Sequence, residues 1–312
     1  MISIRRILCP TDLSDLSARA FRHATAFAKW YEAELDALYV VPAVVPHPGV
    51  MPPGPSWALF DPEARSQVED ELHYFVAPAE NEGVTVKRTI RDGDVVSEIL
   101  KETRGIPADL VVMGTHGRGG FERWILGSVA EKTLRKAPCP VLTVPPAGGD
   151  QPVDPIHLKK VLCPVDFSEA STAALRYALS LAEESDAELV LLHALEWGPE
   201  LEPPLRPGIA DFPEYRRLLE QDAREKLRAA IPTEARDWCH PEEVVVFGRA
   251  YQRILAEAKA RQAQMIVMGV HGRSALDILL FGSTTHHVVR AACCPVLTIS
   301  PEPRRAALAN AS

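Results

Sequence analysis

Residues 111–128 read VVMGTHGRGGFERWILGS, and residues 266–283 read IVMGVHGRSALDILLFGS. Each copy opens on an apolar run that suits a buried strand and passes through Gly-x-x-Gly. After nine intervening residues it reaches Gly-Ser at the head of a helix expected over Ser128 to Lys136 in one copy and Ser283 to Ala292 in the other. Working outward, RRILCPTDLS (5–14) matches KKVLCPVDFS (159–168), and PCPVLTV (138–144) matches CCPVLTI (293–299), all at an offset of 154 to 155 residues. One ancestral unit has been duplicated. The Pro- and Gly-rich stretch PPAGGDQPVDP (145–155) lacks periodicity and reads as the connection. The expected domains are 1–146 and 158–302, with a linker over 147–157 and a tail over 303–312.

Within each half, short Val/Ile/Leu runs alternate with longer amphipathic segments. The strands expected in the first half are Ile4 to Cys9, Leu35 to Val41, Val84 to Ile90, Leu110 to Gly114 and Val141 to Val144. Those of the second are Lys160 to Cys163, Glu188 to Ala194, Val244 to Phe247, Met265 to Gly269 and Val296 to Ile299. Strands too apolar for one wet face imply an α/β fold: two tandem doubly wound, Rossmann-like domains, each a five-stranded parallel sheet of order 3-2-1-4-5 with helices on both faces. The proline-bearing segments 42–62 and 195–213 differ most between halves, and read either as covers over a site or as divergent surface loops.

Composition narrows the function classes. With 312 residues, 46% apolar and 24% charged, the chain can bury two ordinary cores. A formal charge of −8 without a dense Lys/Arg cluster argues against nucleic acid as partner. No run approaches the ~20 apolar residues that span a bilayer, and Met1 to Arg6 lead directly into a strand, so no membrane partner and a cytoplasmic location are expected. Of six cysteines, Cys9, Cys163, Cys139 and Cys294 fall in repeated contexts and read as small core residues. A zinc site from Cys293, Cys294, His286 and His287 lacks the usual ligand spacing.

The chemistry concentrates at two motifs. Gly114-x-x-Gly117 with Gly127-Ser128, and Gly269-x-x-Gly272 with Gly282-Ser283, place close-approach backbone beside a helix N-terminus, whose unpaired N–H groups suit a phosphate. Pro10-Thr11-Asp12 and Pro164-Val165-Asp166 end the first strand of each half. In a sheet of order 3-2-1-4-5, strands one and four are neighbours at the topological switch point, so the two motifs face one crevice. A carboxylate there accepts from a nucleoside's amine or hydroxyls. Asp12 and Asp166 can instead cap the following helices, as Ser14 and Ser168 also can. Arg118 and Arg273 can fork onto a phosphate or remain solvated loop charges, and His116 and His271 read as turn-packing residues with no evident nucleophile or orienter.

The paired P-x-D and G-x-x-G-x9-G-S patterns, preceded by VVMG and followed by PVLTV, resemble the universal stress protein family over nearly the whole chain, twice. The resemblance implies the ATP-binding branch of that family, with roles in stress, dormancy or energy sensing. By it, Asp12 and the backbone around Pro10, Thr11 and Val41 hold the nucleoside, and Met113, Gly114, Gly117, Gly127, Ser128 and Val129 line the phosphate path. The matching residues are Pro164, Val165, Asp166 and Ala194, then Met268, Gly269, Gly272, Gly282, Ser283 and Thr284. Gln264 replaces Asp109 and Ser274-Ala275 replaces Gly119-Gly120, which suggests a second site of different affinity.

No G-x-x-x-x-G-K-[ST] lysine and no clear base for water are present, so fast hydrolysis is not expected. The expected role is an ATP-dependent switch, with or without Mg2+, read by an unknown regulatory protein partner. The alternatives are a genuine ATPase or phosphotransferase using Ser128, Ser283 or a histidine, and a nucleotide-free assembly scaffold. The fifth strands should lie at sheet edges and call for cover. The resemblance implies an intrachain pseudo-dimer, with association of two chains into a homodimer as a further expectation.

Overall fold

A computed structural model describes residues 2–42, 62–105, 107–116, 126–146, 158–196, 212–237, 239–272 and 282–300. The chain divides into two compact units, one of residues 3–156 and one that runs from His157 and includes Ile2. In the first, β1 (Arg6–Thr11), α1 (Asp15–Tyr31), β2 (Glu34–Pro42), α2 (Pro62–Asn81) and β3 (Val86–Gly93) are followed by α3 (Val95–Gly105), β4 (Leu110–Gly114), α4 (Ser128–Lys136) and β5 (Val141–Val144). The second repeats the order as β6 (Lys160–Pro164), α5 (Glu169–Ser185), β7 (Glu188–Leu195), α6 (Phe212–Ala230), a 3-10 turn (Thr233–Asp237), β8 (Glu242–Phe247), α7 (Ala250–Ala260), β9 (Met265–Gly269), α8 (Ser283–Ala291) and β10 (Val296–Ile299).

Every pairing inside a unit is parallel, in the order β3-β2-β1-β4-β5 and correspondingly β8-β7-β6-β9-β10. Helices cover both faces, α1 packing on α2 and α3 on α4. That follows from right-handed crossovers that run one way from β1 to β3 and then back across the sheet to β4. Ile7, Leu35, Leu38, Leu110 and Leu142 fill the first core, and Leu162, Leu175 and Leu181 the second. The α1 stripe of Ala20, Phe21, Ala24, Phe27 and Ala28 recurs at helical spacing, which is why this segment lies on the sheet.

Strand β1 runs two residues further than the apolar pattern suggests, through Pro10 and Thr11. Its ladder with β2 continues to Thr11 opposite Tyr39, whereas its pairing with β4 covers Ile7 with Leu110 and Leu8 with Val111 and goes no further. In the same way β6 pairs with β7 up to Pro164 but with β9 no further than Leu162. Proline has no N–H for a ladder, and here it sits where the ladder on one side has ended. The sheet thus opens between its first and fourth strands, and this opening is the crevice. Strand β8 begins earlier than expected, at Glu242, because edge-strand carboxylates find partners: Arg261 lies 2.5 Å from Glu242 and Arg228 2.8 Å from Glu243. Strand β3 is offset toward Gly93, since Val84 is buried in the turn that closes α2, its N–H donating to the Ala79 carbonyl. The segments 43–61 and 197–211, the linker 147–157 and the residues from 301 onward lie outside the described residues. No helix among the described residues is long and apolar enough to cross a membrane.

Candidate functional site: two crevices at the switch points

The turn leaving β1 is built by its own short side chains. Asp12 Oδ1 accepts the Ser14 N–H at 3.1 Å and the Ser14 hydroxyl at 2.6 Å. Leu13 between them has φ +60, the left-handed region that a bulky residue rarely adopts. Such a conformation costs about 1 kcal/mol or more, and the carboxylate bonds offset it. The second copy has the same geometry: Asp166 Oδ1 accepts the Ser168 N–H at 3.0 Å and its hydroxyl at 2.6 Å, around Phe167 at φ +63. Ser14 and Ser168 are the N-caps of α1 and α5, each accepting the N–H three residues on at 3.2 Å. The aspartates therefore do not cap the helices. They orient the serines that do, and both carboxyls stay half-buried at the crevice.

Behind the turn the copies differ. Thr11 Oγ1 accepts the Leu13 N–H at 3.0 Å and lies 2.9 Å from Ser17 Oγ. Val165 has no hydroxyl, and there the His193 Nδ1–H donates to the Val165 carbonyl at 2.6 Å while the ring packs on Phe167 with centroids 4.6 Å apart. His193 was not among the residues expected from sequence. A lone histidine inside the apolar run of β7, next to Ala194, was the available signal.

The glycines close a neck. The Gly127 N–H donates to the Thr115 carbonyl at 2.9 Å, and the Gly282 N–H to the Val270 carbonyl at 3.2 Å, so the chain that leaves after the fourth strand returns beside its own departure point. A Cβ at either glycine would stand 3.1 Å from that carbonyl oxygen. Gly269 is tighter still, with a Cβ placed 2.8 Å from the Ala170 carbonyl carbon and 2.9 Å from the Ser171 nitrogen. Gly272 meets the other motif directly, because a Cβ there would lie 2.7 Å from Asp166 Oδ2.

Helices α4 and α8 start at these necks with Gly127 and Gly282 as N-caps, and neither has a side-chain capping bond. Serine-capped α1 and α5 contrast with this. First-turn N–H groups without a side-chain acceptor, at the positive end of the helix dipole, are suited to an anion. Ser128 and Ser283 are exposed in these first turns, Val129 and Thr284 half-buried beside them. Met113 and Met268 are buried in β4 and β9, whereas Val41 and Ala194 are half-buried near the ends of β2 and β7. Gly117, Arg118 and Arg273 lie outside the described residues. His116 is buried with Nδ1 2.9 Å from Thr115 Oγ1, a turn-packing role.

One expectation is corrected. Gln264 does not mark a difference between the sites, because it lies before β9, at the end of the sheet away from the crevice. There its amide oxygen accepts the N–H groups of Lys159 and Lys160, the latter at 3.3 Å. Asp109 in the first unit does the same for Arg5 at 2.9 Å and Arg6 at 3.2 Å. Both residues tie down the start of a first strand. Cys9, Cys139, Cys163 and Cys294 are buried as expected, and burial pushes the Cys163 thiol up to about 12.

The chain matches the model of the universal stress protein family twice, over residues 3–145 and 157–300. A universal stress protein of Mycolicibacterium smegmatis is 30% identical over 307 residues, covering 95% of this chain and 97% of its own. One from Methanocaldococcus jannaschii is 40% identical over 140 residues, 45% of this chain and 81% of its own. Among solved structures, a universal stress protein from Archaeoglobus fulgidus superimposes with a TM-score of 0.65 at 22% identity, covering 95% of this chain and 98% of its own. A universal stress protein solved in complex with cAMP covers 46% of this chain and 98% of its own, at 24% identity and a TM-score of 0.31. With the repeat, the parallel sheets and the matched model in agreement, the chain is a tandem two-domain member of the universal stress protein family.

Proposed function

We propose that each unit binds one adenine nucleotide, ATP in the first instance, and that the protein works as a nucleotide-dependent switch with at most slow hydrolysis. The observation that carries this reading is the meeting of the two motifs in the second unit, where Asp166 Oδ2 stands against Gly272 without room for a Cβ. A carboxylate able to accept from a ribose or an amine therefore sits beside close-approach backbone and near a helix start that lacks a side-chain cap. The groups present fit a nucleotide: Asp12 or Asp166 for the nucleoside, the first turns of α4 and α8 for the phosphates. When bound, the nucleotide supplies phosphate charge that the helix starts can accept. Among the described residues no group of three His, Cys, Asp or Glu could hold a metal. Magnesium enters this reading as a counter-ion of the phosphates, which it characteristically accompanies.

The test is to incubate the full chain with millimolar ATP, remove free ligand, and count adenine nucleotide per chain by mass spectrometry after heat extraction. Two per chain is expected. An absence of nucleotide would overturn the reading in favour of a scaffold. Phosphate release with magnesium, lost in Asp12→Ala plus Asp166→Ala, would replace the switch with an ATPase. Association into a homodimer and recognition by a regulatory partner belong to the same proposal, and a monomer by light scattering at micromolar concentration would remove the first.

A further inference from the structure

Residues 91–98 read RDGDVVSE, and their counterparts in the repeat, residues 246–253, read VFGRAYQR. The first stretch carries three carboxylates and one arginine, formal charge −2, whereas the second carries two arginines and no carboxylate, formal charge +2. The change falls on one place in the fold. Each stretch ends the third strand of its unit at a glycine of positive φ, 147 at Gly93 and 126 at Gly248, and starts the helix that follows. In both units a side chain of that helix lies over the glycine: a Cβ on Gly93 would stand 3.1 Å from Glu98 Oε1, and one on Gly248 3.1 Å from Arg253 Nε. Opposite charges occupy the same position over the same turn.

The surroundings differ in the same sense. In the first unit Arg65 of α2 pairs with Asp92 at 3.2 Å, Lys101 pairs with Glu98 at 2.5 Å, and Asp94 accepts the Ser97 N–H at 2.9 Å and its hydroxyl at 2.7 Å. In the second, Phe247 stands in place of Asp92, and the guanidinium carbon of Arg216 on α6 lies 4.2 Å from the centroid of its ring. Arg253 Nε donates to the Phe247 carbonyl at 2.6 Å, so two arginines are held on one residue. Arg249 precedes α7 and has no side-chain capping bond. All three arginines are exposed, and among the described residues none is ion-paired. Against them stands Glu196, whose carboxylate accepts the Ala250 N–H at 2.6 Å.

This turn adjoins the second crevice. The Gly248 N–H donates to the Leu195 carbonyl at 3.0 Å, and Ala194, a candidate nucleoside contact, pairs with Val246. Across the sheet, β8 lies three strand spacings from β9, roughly 14 Å from the strand whose far side leads to the head of α8. One small anion cannot touch both places. A nucleotide with an anionic group at each end can.

We propose that Arg249 and Arg253, with Arg216 beside them, form a second anion subsite of this crevice, which selects a nucleotide carrying a phosphate on its ribose in addition to its 5′ phosphates. The inference rests on the reading of the crevice as a nucleotide site. Guanidinium forks match phosphate in shape and keep their charge at any physiological pH. Asp94 and Glu98 repel such a group at the matching turn, so the first crevice gains nothing from it. The two units thereby differ in ligand, with the ribose phosphate read in the second alone.

The experiment compares AMP with adenosine 2′,5′- and 3′,5′-bisphosphate by titration calorimetry on the full chain, in an Asp12→Asn background that leaves the second site the tighter one and an Asp166→Asn background that leaves the first. In the Asp12→Asn chain one of the bisphosphates should bind about tenfold more tightly than AMP, the size of one charge-assisted hydrogen bond, and the ratio should shrink as salt is raised. In the Asp166→Asn chain neither bisphosphate should exceed AMP. Adding Arg249→Asp and Arg253→Glu, which install the residues of the first unit, should bring the ratio at the second site to one or below. Equal affinities of AMP and both bisphosphates at the second site, or a ratio those two substitutions leave unchanged, would overturn the subsite and leave the nucleotide reading standing. If AMP, ATP and the bisphosphates all fail to bind, both readings fall. The comparison between the two backgrounds decides the claim even if the doubly substituted turn does not fold.

Discussion

After β1 the chain turns through Thr11, whose hydroxyl accepts the Leu13 N–H and meets Ser17; after β6 it turns through Val165, which has no hydroxyl and leans on His193 instead. The products are nonetheless alike, with Leu13 at φ +60 and Phe167 at +63, and with aspartate-to-serine bonds that agree within 0.1 Å. Two sets of supports therefore hold one backbone. What both units retain is the half-buried carboxylate at the mouth of an opened sheet, and what they exchange is the packing behind it. Each unit keeps the left-handed residue together with the aspartate that orients the capping serine.

The glycine at the end of the fourth strand should separate the units most sharply. At Gly269 an added methyl would stand 2.8 Å from backbone of α5, which can yield only if the helix shifts, whereas at Gly114 the nearest atom is the His116 carbonyl oxygen at 3.1 Å. Gly269→Ala should cost about 3 kcal/mol and Gly114→Ala about 1 kcal/mol, the range of overpacking against rigid and yielding neighbours. Urea denaturation of the full chain measures both. Equal costs would mean that the two helices approach their strands alike.

Next in size is the carboxylate charge. Asp12→Asn and Asp166→Asn keep an oxygen to accept from Ser14 or Ser168, so the turn should survive while the charged acceptor is lost. Each change should weaken nucleotide binding at its own unit by about tenfold to a hundredfold, the value of a hydrogen bond to a charged group. Titration calorimetry on the single variants should then show one weakened and one unchanged site. Weakening of both sites by one substitution would break the picture of two separate crevices.

Much of this was readable beforehand, and the exceptions have physical causes. The repeat, the α/β alternation and the glycine spacing follow from hydrophobic period and residue type, so the strands β4, β5, β9 and β10 fall where the apolar runs do. The extension of β1 through Pro10 was not readable, because apolar pattern does not report that a ladder continues on one side of a strand after ending on the other. His193 was hidden for a related reason, its role being set by a partner 28 residues away. The serines were legible as candidate caps, but the choice between them and the aspartates was not, because competition between neighbouring oxygens decides it. Gln264 misled because a difference inside a repeat says nothing of which end of the sheet it occupies.

A smaller difference between the units lies on the first helix. His23 of α1 has Nε2 buried without a hydrogen-bond partner, and burial first, then Arg19 and Arg22, push its titration down to about 4. The second unit has Tyr177 at the matching place. An unfolded imidazole titrates near 6.5, so between that value and 4 the unfolded chain binds the extra proton and the folded one does not. Stability of the first unit is therefore complete above pH 6.5 and declines as the pH falls through that window, by about 1 to 2 kcal/mol at pH 5. His23→Tyr and His23→Gln should each flatten this decline in urea titrations at pH 7 and pH 5. A wild-type slope unchanged in both variants would show that His23 is already protonated in the fold.

The smallest expected effect concerns Asp109 and Gln264, which perform one task with and without charge. Each accepts two backbone N–H groups at the start of a first strand, and these bonds are exposed. An exposed carboxylate gains little over an amide there, since solvent and salt screen its charge. Asp109→Asn should lower stability, and Gln264→Glu raise it, by about 0.5 kcal/mol or less. The more telling measurement is nucleotide affinity of Gln264→Glu. The residue precedes β9 while the candidate phosphate and nucleoside groups follow β6 and β9, so that affinity should change less than twofold. If restoring the acidic residue of the first unit tightened binding in the second, the start of the strand would be coupled to its far end, and the two ends of the sheet could no longer be treated as a structural tie and a site.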